Sequence, residues 1–558
     1  MAVDLLYGRA RHFRCGTGEC AAGRQRYQRA RLAQQDRADL AGVVQPRTGP
    51  AARHHDVSGH RGRARLRDAL PRPGAGDAAH GGRHRRLHRE RARGFGTFDR
   101  TGAVMRLLFL DHLDPEPGKL LEWTAIADPG PAFDPTPPTS NQAIHLSSGA
   151  PTNWLAAQFE VAGPIDEAAL EAAFTAWIPR HDALHCCFAE PAGGGPVAVH
   201  LVSDTDIRLE RRAPVAADST AELRALLGAR LDAACDPFRF PPYFLGAVSR
   251  PEISTVIVGF DHAICDAWSI TIAVTELDEL YRAALDEGDT ARVALPEAGS
   301  FLCYSGREAA VPSATTGPLI RGWRDFLREA GDDLPHFPVD LGIPAGSRAP
   351  FGGDVRPLLG PTATDALHRR ARAAGHSLFA ALLAPVALAA AELGGGAATD
   401  LVFPVHTRRE PRHHNTFGWL VANAPARVPA AKDFATTVAG ADAAIRNGQR
   451  LAHVPATQVL AALGPELRRT RHDLFSVSYT DYRHLPGGSR CDTTRTRPRN
   501  PVQFSRSASL DDVQLWFTRT DDGLSLRTRF PDTPTARPLV TDFLDRVAKT
   551  LVGAAQGG

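Results

Sequence analysis

No cysteine pair in this 558-residue chain is spaced C-x-x-C, and the eight cysteines (Cys15, Cys20, Cys186, Cys187, Cys235, Cys265, Cys303 and Cys491) match no zinc-ligand spacing. The chain therefore reads as a reduced, cytosolic protein without a cysteine metal site. Long apolar runs are also missing. The longest, Leu378 to Ala391, contains Pro385 and runs directly into Glu392, too short to cross a bilayer. No secretory signal peptide precedes it. The glycine clusters "PAGGGP" (191–196) and "ELGGGAATD" (392–400) lack the Gly-Lys-Ser/Thr ending of a phosphate loop and read as turns.

Lysine is absent from residues 1–104, yet that stretch carries 22 arginines against 9 acidic residues, a net charge of +13, while the rest of the chain carries −10. Sustained apolar periodicity of either kind is lacking there, so the stretch cannot bury enough surface to fold. Clustered arginine attracts phosphate, so a basic arm for nucleic acid or for peripheral association with an anionic membrane is one reading. Its few aromatics follow no pattern among the arginines. Arg, Ala, Gly and Pro also share GC-only codons, and Met105 is the only methionine after Met1. Translation from too early a start is the preferred expectation, and 1–104 is set aside as a low-complexity extension.

From Met105 the chain is patterned as alternating strands and helices, and its length suggests two or three units. The run "FEVAG" (159–163) reads as a strand and 164–184 as a helix capped by Asp166, with Leu170, Phe174, Trp177 and Ile178 on its apolar face. Strands at 185–188, 197–202 and 254–260 and helices at 219–235 and 268–285 complete a first α/β lobe, 105–333. A Pro- and Gly-rich stretch, 334–354, reads as a linker. Helices at 362–374, 377–393, 433–452 and 536–553, with strands at 400–405, 474–482, 502–508, 512–518 and 524–530, form a second lobe, 355–558. A cleft between two such lobes is where a ligand site is expected.

Chemistry concentrates at "VGFDHAICDAWSITIAV" (258–274), where a β-branched strand turns into an amphipathic helix. His262 and Asp266 stand at the join. An imidazole there can take a proton from a hydroxyl or amine attacking a carbonyl, provided something fixes its orientation, and Asp266 is a candidate for that. By spacing alone a structural His–Asp pair serves equally well. Cys265 is read as a small buried hydrophobe. His413 and His414, among Arg408, Arg409 and Arg412, read as an exposed basic loop able to attract thioester-carrier phosphates. Trp268 and Trp419 are core or channel wall, and Ser476, Ser478 and Tyr479 lie on a strand that lines a tunnel or simply alternates in burial.

The run from Phe260 to Ser269 resembles the HHxxxDG core of the condensation-domain acyltransferases, related to chloramphenicol and carnitine acyltransferases. Three further stretches resemble that family in the same order: "SNQAIHL" (140–146), "GPIDEAALEAAFTAWIPRHDALHCCF" (163–188) and "VFPVHTRREPRHHNTFGWLVANAPARV" (402–428). "PGKLLEW" (117–123), "LPHFPVDLG" (334–342), "HTRREP" (406–411) and "FGWLV" (417–421) are most similar to the polyketide-associated acyltransferases of glycolipid assembly. The resemblance implies an α/β fold of two chloramphenicol-acetyltransferase-like lobes, each a mixed sheet with flanking helices, around a channel. It implies His262 as general base, Asp266 as the motif Asp, and Arg408 as its buried partner. Asp261, Ala267, Trp268, Trp419, Asn423, Ser476 and Ser478 become channel candidates. The motif departs from the family at Asp261, where a histidine is usual, and at Ala267, where a glycine is usual.

The expectation is an O-acyltransferase without metal or redox cofactor. It would take an acyl-CoA or a phosphopantetheinyl thioester on a carrier protein or polyketide synthase as donor, and a sugar or polyol as acceptor, with nucleic acid no partner. An amide-forming condensation domain and a degenerate binding protein are the alternatives.

Overall fold

The computed structural model describes residues 104–147, 153–189, 197–464, 467–491, 497–506 and 509–557. Most of the basic extension and the 191–196 glycine cluster fall outside them.

Among the described residues, eight strands form the first sheet. Its order is Arg106–Phe109, Arg499–Ser505, Trp154–Ala162, Ile253–Asp261, Tyr243–Ser249, Gly118–Ala127 and Ile207–Arg211, with Val215–Ala217 also pairing with Gly118–Ala127. The second sheet runs Val421–Pro429, Ala398–His406, Ser476–Asp481, Gln514–Thr520, Gly523–Pro531, Ala349–Leu359 and Ser509–Leu510. Both mix parallel and antiparallel pairings.

Local chemistry accounts for the boundaries. Asp166 caps the helix Glu167–Trp177 by accepting from the Ala169 amide at 2.9 Å. Pro179 then tightens the chain into a 3-10 turn, Ile178–Arg180, so the single helix expected over 164–184 ends early. Leu170, Phe174, Trp177 and Ile178 are all buried in the first core, as the periodicity requires. The second core is built on the helix Leu378–Glu392, most of whose residues are buried. Among the described residues no single helix is long and apolar enough to cross a membrane.

Two segments from the second half of the chain enter the first lobe, which the linear division at 334–354 does not anticipate. Arg499–Ser505, expected near 502–508 in the second lobe, instead pairs antiparallel with Trp154–Ala162 and parallel with Arg106–Phe109. Phe417 and Leu420 likewise bury in the first core, where Phe417 meets Phe260 at 5.0 Å and Trp177 at 5.6 Å between ring centres. Nor is 334–354 a free connection. Phe337, Leu341 and Ile343 are buried in the second core, and the strand Ala349–Leu359 begins within it. Proline and glycine shape the turns here, and the apolar residues between them do the packing.

Candidate active site

The strand Ile253–Asp261 runs through the first sheet and ends one residue before His262. A single 3-10 turn, His262–Ile264, leads to the helix Ala267–Glu287, which Asp266 caps by accepting from the Ser269 amide at 2.8 Å. That helix is braced from the side. Glu276 accepts from Trp177 Nε1 at 3.1 Å, lies 2.8 Å from His181 Nε2, and pairs with Arg180 at 3.0 Å. Burying a carboxylate is tolerated because its oxygens are bonded on several sides.

His262 is half-buried, and its Nδ1 lies 3.0 Å from the Cys265 carbonyl oxygen. A carbonyl can only accept, so the neutral ring carries its proton on Nδ1 and leaves the Nε2 lone pair outward. The backbone of the turn thus fixes the imidazole, not Asp266 as the spacing suggested. Trp419 lies against the ring, centre to centre 4.1 Å at 31°. Burial, reinforced by the neighbouring His145, pushes the His262 pKa down to about 4, so the ring is neutral at physiological pH.

Asp266 is wholly engaged elsewhere. Arg408 grips it in a fork, Nη1 to Oδ2 at 2.6 Å and Nη2 to Oδ1 at 2.9 Å, and the Leu420 amide donates to Oδ2 at 3.0 Å. Ser269 Oγ lies 2.9 Å from the same carboxylate and 2.8 Å from the Gly418 carbonyl. Burial alone would raise its pKa, but the Arg408 guanidinium and these bonds hold it below the ordinary carboxylate value. Arg408 itself is 1 % exposed, reaches the Thr416 and Gly418 carbonyls, and faces the Trp268 ring at 5.3 Å. The pair therefore ties the turn that carries His262 to the segment 416–420. Gly418 in that segment has φ +150°, and a Cβ there would come within 2.2 Å of Phe301, so only glycine fits.

Asp261 is fully buried and turns back to accept from the Ala263 amide at 2.7 Å. Burial raises its pKa, offset in part by His145. His145 was not singled out from the sequence, although it lies inside the quoted "SNQAIHL". Only the fold brings it beside the turn, its Nε2 3.8 Å from Asp261 Oδ1 and its ring 5.7 Å from that of Trp419. Its helix, Ser140–Ser147, is tied to both halves of the molecule. Gln142 Nε2 donates to the Ala263 carbonyl and Asn141 Nδ2 to the Val421 carbonyl, both at 2.7 Å, and Asn423 Nδ2 donates to Asn141 Oδ1 at 2.9 Å.

The other candidates separate. Ala267 and Trp268 open the helix after the turn, and Trp268 packs 5.2 Å from His406. Ser476 and Ser478 belong to the second sheet, where Ser478 is buried and the adjacent Tyr479 stacks on Phe379. Cys265 is buried, which pushes its thiol pKa well up and opposes a nucleophilic role. The 406–414 loop is not uniformly exposed as expected. His413 is buried, 3.2 Å from Thr416 Oγ1 and in contact with Arg307, while Arg409 and Arg412 face outward. Among the described residues no group of His, Cys, Asp and Glu is arranged to hold a metal ion.

A strand-to-helix turn carrying an oriented imidazole, clamped by a buried Asp–Arg pair to a second lobe, defines a two-lobed condensation-type fold. The Condensation domain family model matches residues 142–555, and the chain belongs to that family. Among curated proteins it is 27% identical over 466 residues to the 2'-acyl-2-O-sulfo-trehalose (hydroxy)phthioceranyltransferase PapA1 of Mycobacterium tuberculosis, covering 80% of this chain and 88% of that one. It is 26% identical over 464 residues to the trehalose-2-sulfate acyltransferase PapA2 of the same organism, covering 79% and 96%. The solved structure of a PapA2 acyl transferase superposes with a TM-score of 0.71 at 23% identity, over 81% of this chain and all of that one.

Proposed function

We propose that this acyltransferase moves an acyl chain from a coenzyme A or carrier-protein thioester to a hydroxyl of a sugar or polyol, with His262 as general base. The observation that carries the reading is the His262 Nδ1 bond to the Cys265 carbonyl, because it fixes one tautomer and points a basic nitrogen away from the backbone. The acceptor hydroxyl gives its proton to Nε2 as its oxygen bonds to the thioester carbon. The C–S bond then breaks, and the proton passes from His262 to sulfur, leaving an ester and a free thiol. Asp266 moves no proton in this scheme, since Arg408, Ser269 and Leu420 occupy its carboxylate. Its part is to hold the turn. The kinship with trehalose-acylating relatives supports a carbohydrate acceptor over an amine.

The test is an acceptor screen with purified protein. Palmitoyl-CoA or a palmitoylated carrier protein is offered with trehalose, glycerol or an amino-acid amide, and products are identified by mass spectrometry. Ester formation on the polyols is expected. Amide as the dominant product would assign the protein to peptide-type condensation instead.

A further inference from the structure

The HHxxxDG pattern has two adjacent imidazoles, and here the first is replaced by Asp261. The fold brings another imidazole near His262 from a different element. His145, on the helix Ser140–Ser147, lies with its ring centre 6.3 Å from that of His262 and 5.7 Å from that of Trp419, which in turn lies 4.1 Å from His262. The three rings thus cluster at the turn that carries the base. Asp261 stands behind His145. One oxygen, Oδ1, accepts from the Ala263 amide and lies 3.8 Å from His145 Nε2, while Oδ2 is buried with no hydrogen-bond partner.

A half-satisfied carboxylate buried at the end of a core strand is costly unless a cation-capable neighbour compensates it. Capping a single 3-10 turn needs no such arrangement, since serine or asparagine serves as well. His145 Nε2 lies 3.8 Å from that carboxylate, and at 16% side-chain exposure the ring is open enough to meet a ligand. The Gln142 and Asn141 bonds keep the helix from carrying it away.

We propose that His145 is a second catalytic residue, which hydrogen-bonds the acyl oxygen of the thioester as negative charge develops there, and that Asp261 is its positioning residue. The inference rests on the acyl-transfer reading above. As the acceptor oxygen bonds to the carbonyl carbon, the C=O electron pair moves onto oxygen, and a ring N–H of His145 donates to it. When the C–S bond breaks the carbonyl re-forms, the His262 proton goes to sulfur, and His145 ends with the protons it began with.

The experiment compares His145→Gln, which keeps an N–H donor, with His145→Met, of similar size and without one. Both are run beside wild type, His262→Ala and Asp261→Asn, with palmitoyl-CoA and trehalose as substrates, recording kcat, KM and melting temperature. Loss of one such donor costs about 10²–10³-fold in kcat. His145→Met is expected to fall by that factor with KM for palmitoyl-CoA within about threefold of wild type, and His145→Gln to recover at least tenfold of the loss. Equal rates for Gln and Met, or a Met variant as fast as wild type, would overturn the role of His145 while ester formation by wild type stands. Wild type without turnover overturns the acyl-transfer reading itself and this inference with it.

Discussion

Replacing Arg408 by alanine tests the architecture of the site through stability and activity at once. The guanidinium is buried and donates to both oxygens of Asp266, to Ser269 Oγ, and to the carbonyls of Thr416 and Gly418. Alanine leaves the Asp266 carboxylate buried with only the Ser269 and Leu420 donors to balance it. Breaking such a pair from one side costs about 3–5 kcal/mol, because the remaining charge is stranded. With an unfolding entropy of about 2.1 cal/mol/K per residue over roughly 450 folded residues, that is a fall in melting temperature of about 3–5 °C. Turnover should fall too, since the 416–420 segment carrying Trp419 loses the Arg408 bonds to Thr416 and Gly418 and is left with fewer ties to the turn. Thermal and urea unfolding, with acyl transfer measured well below the transition, provide the assay. Exchanging both partners for apolar residues of similar volume should cost less than the two single changes added together. A single Arg408→Ala variant that melts with wild type and turns over normally would refute the reasoning.

Other expectations follow from the same geometry. Because the His262 pKa is lowered to about 4, kcat/KM per folded molecule should be flat from pH 8 to 5, and an acid limb centred near 6.5 would contradict its burial. Stability should move the other way: the unfolded ring takes up a proton near 6.5 while the folded ring stays neutral, so unfolding becomes easier as pH falls from 6.5 towards 4. His406, its pKa also lowered to about 4 by burial and then Arg408, adds to that slope, which calorimetry across the range measures. Cys265→Ser should retain transfer activity within a few-fold, as shown by thiol release, because the thioester already supplies the activated acyl group. A chain beginning at Met105 should match the full chain in melting temperature and rate, since Met105 is buried and the strand Arg106–Phe109 pairs with Arg499–Ser505. Loss of folding on removing 1–104 would reverse that reading.

Periodicity and capping made the local elements legible. The apolar face of Glu167–Trp177, the Asp166 cap and the β-branched strand before His262 could all be read from neighbouring residues. The exchange between lobes could not. Nothing in "PVQFS" (501–505) says that it pairs with Trp154–Ala162 and not with the sheet its neighbours build, because a strand's partners are fixed by the packing of distant residues. The site divides along the same line. His262, Asp266 and Arg408 were visible through motif spacing and family resemblance. His145 was not, because its approach to Asp261 depends on a helix more than a hundred residues upstream docking onto the turn through Gln142. The role given to Asp266 shifted for a simpler reason: a backbone carbonyl three residues after the histidine already orients the ring, and sequence spacing cannot reveal a main-chain acceptor.

The central claim is that His262 takes the acceptor proton, and the most direct measurement is acyl transfer by His262→Ala with donor binding measured on the same preparation. Loss of a positioned general base costs about 10²–10⁴-fold in rate. The account predicts a fall of that order in ester formation from palmitoyl-CoA, with affinity for the thioester and melting temperature close to those of wild type. An alanine variant that forms ester at the wild-type rate would show that the imidazole on this turn is structural, and would contradict the mechanism.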